Sequence, residues 1–394
     1  MKKYINNCSI YFLLWCLYYL QGALYTTGGG ISKCILLILL LWSATIFVKV
    51  NTNSYTLPSF FKVVNIFLLL TTIYGLLLVS SGQELYIKEN GPRFISSNHT
   101  YLKNIYISLL PIYVFYYYTK KRTLNNKFII YFILCLLAIN IINFFYQFKE
   151  QMMLADAHID GVTLNIGYSF LALIPLLLLN NKPIIQYFLL IITIVFIIFS
   201  MKRGAVLIGA ICFLYFIYTT IRDANGKMKT VALILSAVAI LSMLFIIDNL
   251  LSSNDYFVHR IEETLEGDSS NRDTIYSDLF NHFISETNIF RLLFGNGANS
   301  TLRLASNFAH NDWLEIAINN GVIGLFVYLC YFIALLRDYS HIKRHNNLHS
   351  RIILMSFIIL FLSSLFSMSY SSINIAISIA LGYTLASNNS RRAL

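Results

Sequence analysis

SNFAHNDWLEIAINNGVIGLFVYLCYFIALLR, residues 306–337, begins polar with His310, Asn311, Asp312 and Glu315. It then runs unbroken into an apolar stretch through Gly321 and Gly324. A hydrophobic run of that length predicts a membrane-spanning helix. The polar head places a titratable imidazole where lipid gives way to water. Chemistry is expected there.

The rest of the chain has the same character. Of 394 residues 57% are hydrophobic, 15% aromatic and only 12% charged, and the mean hydropathy is +0.65. Soluble chains carry about a quarter charged residues, so an all-α, polytopic membrane protein is expected. The six cysteines fall in or beside apolar runs without a CxxC pair or a zinc spacing, and read as small apolar fillers. MKKYINNCSIYFLLWCLYYL has no small-residue cleavage site after it and reads as a first membrane helix rather than a signal peptide.

Twelve apolar segments follow in order, at roughly 8–26, 31–48, 61–80, 104–119, 128–148, 163–180, 184–201, 204–221, 230–247, 316–336, 352–368 and 371–386. With the N-terminus inside, the cytoplasmic pieces are 1–7, 49–60, 120–127, 181–183, 222–229, 337–351 and the tail. They hold most of the 29 Lys and Arg residues but only two acids, Asp223 and Asp338. The positive-inside rule favours this orientation, with both termini cytoplasmic. The net charge of +11 thus follows membrane topology and does not imply a nucleic-acid partner.

Three connections on the other side exceed a tight turn: 81–103, 149–162 and about 248–315. The organisation expected is N-terminal spans over 1–247, an extracytoplasmic loop subdomain over 248–315, and C-terminal spans over 316–394. Within the long loop, SSNRDTIYSDLFNHF predicts an amphipathic helix. Ser270 and Asp273 form a capping pair, and Ile275, Leu279 and Phe283 recur at helical spacing. Such a helix could lie on the membrane or cover a cleft. FGNGANST, 294–301, predicts a turn.

Each candidate site has a functional and a plain reading. A helix starting near Asn311 would put His310 at its positive end, favouring the neutral imidazole that a general base requires; the plain reading is an interfacial cap. Gly321 and Gly324, three apart on one face, would let another helix approach closely. Glu315 could orient the head of the span. Arg203, in FSMKRGAVLIG, lies between two apolar runs with almost no loop. A charge held so tightly is costly and marks a candidate site, or else a snorkelling turn that includes Lys202. Arg272 offers a planar fork suited to phosphate oxygens; Arg260, Arg291 and Arg303 share its loop. By the charge-derived topology His310, Arg203 and Arg272 fall on one side of the membrane, as handling an anionic lipid-linked substrate would require.

Other signals are weak. Asp156, His158 and Asp160 in DAHID could hold a divalent ion, but an exposed, solvated loop explains them better. His341, His345 and His349 read as part of a basic connector. The chain has no Walker loop, no GxGxxG after a strand, no GxSxG and no DxD, so nucleotide-driven chemistry lacks support.

The order of these residues resembles the superfamily of bacterial O-antigen ligases and O-antigen polymerases. Its pattern H-[NSQ]-x9-G-x-x-G reads here as His310, Asn311, nine residues, Gly321, two residues, Gly324. A basic-small pair after a span matches Arg203-Gly204, and an Arg opening a loop helix matches Arg272 in SSNRDTIY. The resemblance covers about 163–337.

It implies a GT-C-like helical fold in the bacterial inner membrane and an inverting, metal-independent glycosyl transfer that needs no cofactor. The donor would be an undecaprenyl-diphosphate-linked glycan, held at its diphosphate by Arg203 and Arg272, with His310 as base and Asn311, Glu315, Gly321 and Gly324 in support. The acceptor would be a second lipid-linked repeat unit in a polymerase or the lipid A core in a ligase. The short, Tyr- and Phe-rich chain favours the polymerase. Capsule and lipopolysaccharide polymers share the signature, and a chain-length regulator is a candidate partner. The rival from another class is a lipid-linked-sugar flippase, but no internal repeat supports a transporter.

Overall fold

The computed structural model describes residues 6–53, 56–79, 98–154, 163–180, 182–253, 258–259, 262, 272–305 and 307–389. The regular structure among them is helical. The helices are α1 (Asn7–Tyr19), α2 (Gly30–Thr52), α3 (Ser59–Val79), α4 (Asn98–Lys120), α5 (Asn126–Leu154), α6 (Gly167–Leu171), α7 (Ile174–Leu177), α8 (Pro183–Phe199), α9 (Arg203–Asp223) and α10 (Lys227–Ser253). They continue as α11 (Arg272–Ser285), α12 (Ile289–Phe294), α13 (Ser300–Leu304), α14 (Asp312–Lys343), α15 (Asn347–Phe366) and α16 (Ile375–Asn389).

Each of the twelve apolar segments holds a helix, and among the described residues seven helices are long and apolar enough to cross a membrane: α2, α3, α5, α9, α10, α14 and α15. The chain is an all-helical, multi-pass membrane protein. Several segments are shorter as helices than their apolar runs. The first stops at Tyr19, where Leu20 closes the helix and 20–29 continue as turns. The 163–180 segment is broken into α6 and α7, with a proline in the first turn of α7; proline lacks the N–H that would continue a helix. The 371–386 run becomes helical only at Ile375.

The 81–97 part of the first long connection lies outside the described residues. So do Asp156, His158, Asp160, Arg260 and the expected cap at Ser270.

The core is aromatic. Tyr11, Tyr113, Tyr116, Phe60, Phe61 and Phe115 are fully buried between helices. Lipid tails are as apolar as these rings, so dispersion and close backbone approach hold such a bundle together. Gly382 of α16 illustrates this: a Cβ there would lie 2.7 Å from the Ile112 carbonyl oxygen and 2.8 Å from the Tyr116 nitrogen of α4. Polar ties join connectors that the charge pattern assigned to one side. Asp338 near the end of α14 accepts from the Ser59 and Phe60 amides that open α3, at 3.0 and 2.8 Å, and Arg351 of α15 pairs with Asp223 of α9.

Candidate functional site

The head of α14 is fixed by its own side chains. Asn311 is the N-cap, its Oδ1 accepting from the amides of Trp313 at 2.9 Å and Leu314 at 3.2 Å, which satisfies donors that a helix start otherwise leaves orphaned. Its Nδ2 donates to the Leu365 carbonyl, 3.3 Å away near the end of α15. His310 therefore sits just before the cap, in the left-handed region at φ 50°, and its carbonyl accepts from the Tyr276 hydroxyl of α11 at 3.4 Å.

Two buried carboxylates brace this turn. Glu315 is fully buried and accepts from Thr301 Oγ1 at 2.6 Å, the Ala309 amide at 2.9 Å and Asn319 Nδ2 at 3.1 Å. It thereby holds Ala309, the residue directly before His310. Asp312, also fully buried, accepts from the Ser369 amide at 2.9 Å, the Tyr370 amide at 3.1 Å and the Tyr328 hydroxyl at 2.6 Å. It ties the same turn to the link between α15 and α16.

Gly321, one of the two glycines expected to let another helix approach closely, meets the end of α12. Gly321 breaks α14 with φ 67° and ψ −164°. A Cβ on it would meet the Leu293 carbonyl carbon and oxygen at 2.5 Å and the Gly295 nitrogen at 2.6 Å, so it receives the chain at the end of α12. The break frees carbonyls that would otherwise bond within α14, and the 294–301 turn supplies their donors. The Asn296 amide reaches the Ile318 oxygen at 2.8 Å and the Gly297 amide the Asn319 oxygen at 3.0 Å. Gly324 makes room for the same break, since a Cβ there would lie 2.2 Å from Asn320 Cβ.

Helix α11 behaves as its periodicity predicted, covering the head of α14. Leu279 is fully buried with Ala309 and Ile318, and Ile275, Phe283 and Leu314 pack around them. This docking carries Arg272, the first residue of α11, to the end of α15, where its guanidinium donates to the Phe366 carbonyl at 3.1 Å. A cation at a helix C-terminus is favoured by the helix dipole.

These elements enclose a cavity of about 500 Å³. Its charged lining is Lys202, Arg272 and His310; its polar wall comes largely from the α15–α16 link, with Ser367, Ser369, Ser371 and Asn374. His310 is half-buried. Burial lowers its imidazole pKa below the usual value, and the positive charges of Arg272 and Lys202 lower it further. The neutral ring that accepts a proton is thus favoured, through burial and flanking cations rather than only the helix dipole.

The α8–α9 turn explains which of two adjacent cations faces the cavity. Met201 takes φ 53° and the Ser200 carbonyl accepts from the Leu164 amide at 2.8 Å. Lys202 becomes the cap of α9 and Arg203 its first residue. Lys202 lines the cavity, whereas Arg203 is not among its lining residues. The sequence singles out Arg203 with Lys202 beside it and places Asp312 in the polar head, but assigns neither Lys202 nor Asp312 a role and says nothing of the serine-rich link. The run SSLFSMSYSSIN, 363–374, was the visible signal for that link.

An imidazole biased toward neutrality and two cations line one cavity at the head of a candidate membrane-spanning helix. Residues 188–329 match the family model described as O-antigen ligase, a segment that includes Lys202, Arg203, Arg272, His310 and both glycines. Over that segment, less than half of the chain, the protein is similar to the O-antigen ligase family. No curated protein matches it.

Proposed function

We propose that the protein is a glycosyltransferase of the polymerase type. It would join oligosaccharide repeat units carried on undecaprenyl diphosphate, on the extracytoplasmic face of a bacterial inner membrane, in a GT-C-like frame of twelve spans. The observation that carries this reading is the half-buried imidazole of His310 opening with Arg272 and Lys202 on one cavity. The cavity volume of about 500 Å³ falls in the range of small-molecule sites, about 300–1,000 Å³.

In the reaction, the acceptor hydroxyl oxygen attacks the anomeric carbon of the donor and passes its proton to a His310 ring nitrogen. The bond from that carbon to the diphosphate oxygen breaks, and its electron pair leaves on the diphosphate. Attack opposite the leaving group inverts the anomeric centre. Arg272 and Lys202, with Arg203 beside it, hold the diphosphate and stabilise the charge that grows there. Glu315, Asn311, Gly321 and Gly324 keep the His310 turn in place. The diphosphate departs as a stable anion, so the scheme calls for neither metal nor nucleotide.

A ligase acting on the lipid A core would use the same site, and the matched family carries that name. The test is a surface-glycan gel of a deletion strain complemented with the wild type, His310→Ala, Arg272→Ala, Lys202→Met and Arg203→Ala, each matched for membrane abundance. Loss of the ladder with a single repeat left on the core identifies a polymerase. Loss of all repeats with lipid-linked polymer accumulating identifies a ligase. A normal ladder from every variant refutes the catalytic reading.

A further inference from the structure

Helix α12 has the sequence IFRLLF, and Ile289 and Phe290 are 64% and 71% exposed. One edge of α11 adds Phe280 at 54% and Ile284 at 62%, one turn apart and roughly a third of a turn or more from the Ile275, Leu279 and Phe283 face buried on α14. These large side chains belong to loop helices outside the membrane-spanning set. In water they would form a costly apolar patch.

The depth of α12 follows from what it touches. Leu293 and Gly295 lie against Gly321, within α14, a candidate membrane span. Arg337 is the first charge after Gly321, sixteen residues on, which is about 24 Å along a helix axis. A hydrocarbon layer about 30 Å thick, measured from Arg337, therefore reaches past Gly321. The kink, and α12 with it, stands near the far boundary of that layer. Next to Gly321, Val322 is exposed, and Phe326, Leu329 and Ile333 continue an exposed apolar stripe along α14. Arg291, the one charged residue of α12, is exposed as well. Exposed aromatic and aliphatic side chains with an adjacent cation are what a helix lying in a bilayer interface presents.

We infer that α12 and the Phe280–Ile284 edge of α11 are seated in the lipid leaflet on the cavity side, with Arg291 at the phosphate layer. Arg291 is thereby taken out of competition for the cavity. The kink at Gly321 holds this foot at a fixed depth, and His310, eleven residues before Gly321, is lifted into the headgroup layer. The inference rests on exposure and depth alone and stands whether or not the chain transfers sugar.

The experiment uses the full chain in phosphatidylglycerol-containing vesicles. Phe290→Trp and Ile289→Trp report from the foot, and Asp278→Trp, on the polar side of α11, serves as the water-facing control. The emission of the three native tryptophans is subtracted using the wild type. Lipids brominated near the glycerol end of the acyl chain should quench the Phe290→Trp and Ile289→Trp reporters several-fold more than the Asp278→Trp reporter, with aqueous iodide showing the reverse order. Quenching of both foot reporters by brominated lipid at or below the control level overturns the inference. Because the substituted side chains are exposed, the variants are expected to elute and melt as the wild type does.

Discussion

Replacing Gly321 by alanine tests the kink against which the 294–301 turn and the end of α12 both pack. At φ 67° and ψ −164° an L-residue pays about 1–3 kcal/mol in backbone strain. The new Cβ would also stand 2.5 Å from the Leu293 carbonyl carbon and oxygen. Backbone atoms cannot rotate aside, so Leu293–Gly295 must move. That movement removes the bonds from Asn296 to Ile318 and from Gly297 to Asn319, each contributing about 1 kcal/mol net. Together the cost is about 3–5 kcal/mol, a large part of the 5–15 kcal/mol by which domains are commonly stable. Gly226 is the control: its φ is +52°, but a Cβ there meets nothing within 4 Å, so only the backbone cost applies. In one detergent, Gly321→Ala should melt well below Gly226→Ala and should fail to restore the surface glycan. A Gly321→Ala protein that melts no lower than the Gly226→Ala control would refute the argument that the kink is held by the 294–301 turn.

Three further predictions concern the turn before α14. Glu315→Gln keeps the shape but sets an amide donor against the Thr301 hydroxyl or the Ala309 amide. A loss of about 1–3 kcal/mol should appear as a lowered melting temperature, with Glu315→Ala lower still. Leu279→Ala should loosen α11 from Ala309 and Ile318 at about 2–5 kcal/mol, read as faster protease cleavage within 272–285 while the membrane helices stay intact. The pH–rate profile of the purified enzyme should fall on the acid side as His310 becomes protonated, at a pH below that of an ordinary histidine, because burial, Arg272 and Lys202 all lower its pKa. Lys202→Met removes one of those positive charges, so the acid limb should move to higher pH; an unmoved limb would separate Lys202 from the His310 environment.

What was legible in the sequence is what the bilayer enforces on a short stretch of chain. A span needs about twenty apolar residues, so the segments can be located one by one, with Arg203 between two of them, His310 in the polar head before another, and Arg272 at the head of a loop helix. The amphipathic face of α11 was equally local, and Leu279 is buried where its spacing placed it. The features that escaped reading depend on partners far away in the chain. Residues 316–322, IAINNGV, fall within a stretch that hydropathy reads as one span, yet α14 breaks at Gly321 because donors from residues 296–297 satisfy its freed carbonyls. A helix can give up internal hydrogen bonds at membrane depth only where protein replaces them, so the break belongs jointly to Gly321 and to the Gly295–Gly297 turn. The choice of Lys202 over Arg203 has a similar origin: adjacent residues point about 100° apart on a helix, and the turn at Met201, pinned by Leu164 to Ser200, sets which one meets His310. The pattern of His310, Asn311, Gly321 and Gly324 is therefore a statement about packing. Gly321 permits the break at which Asn319 accepts from the Ser300 amide and donates to Glu315, and Glu315 in turn holds Ala309, the residue directly before His310.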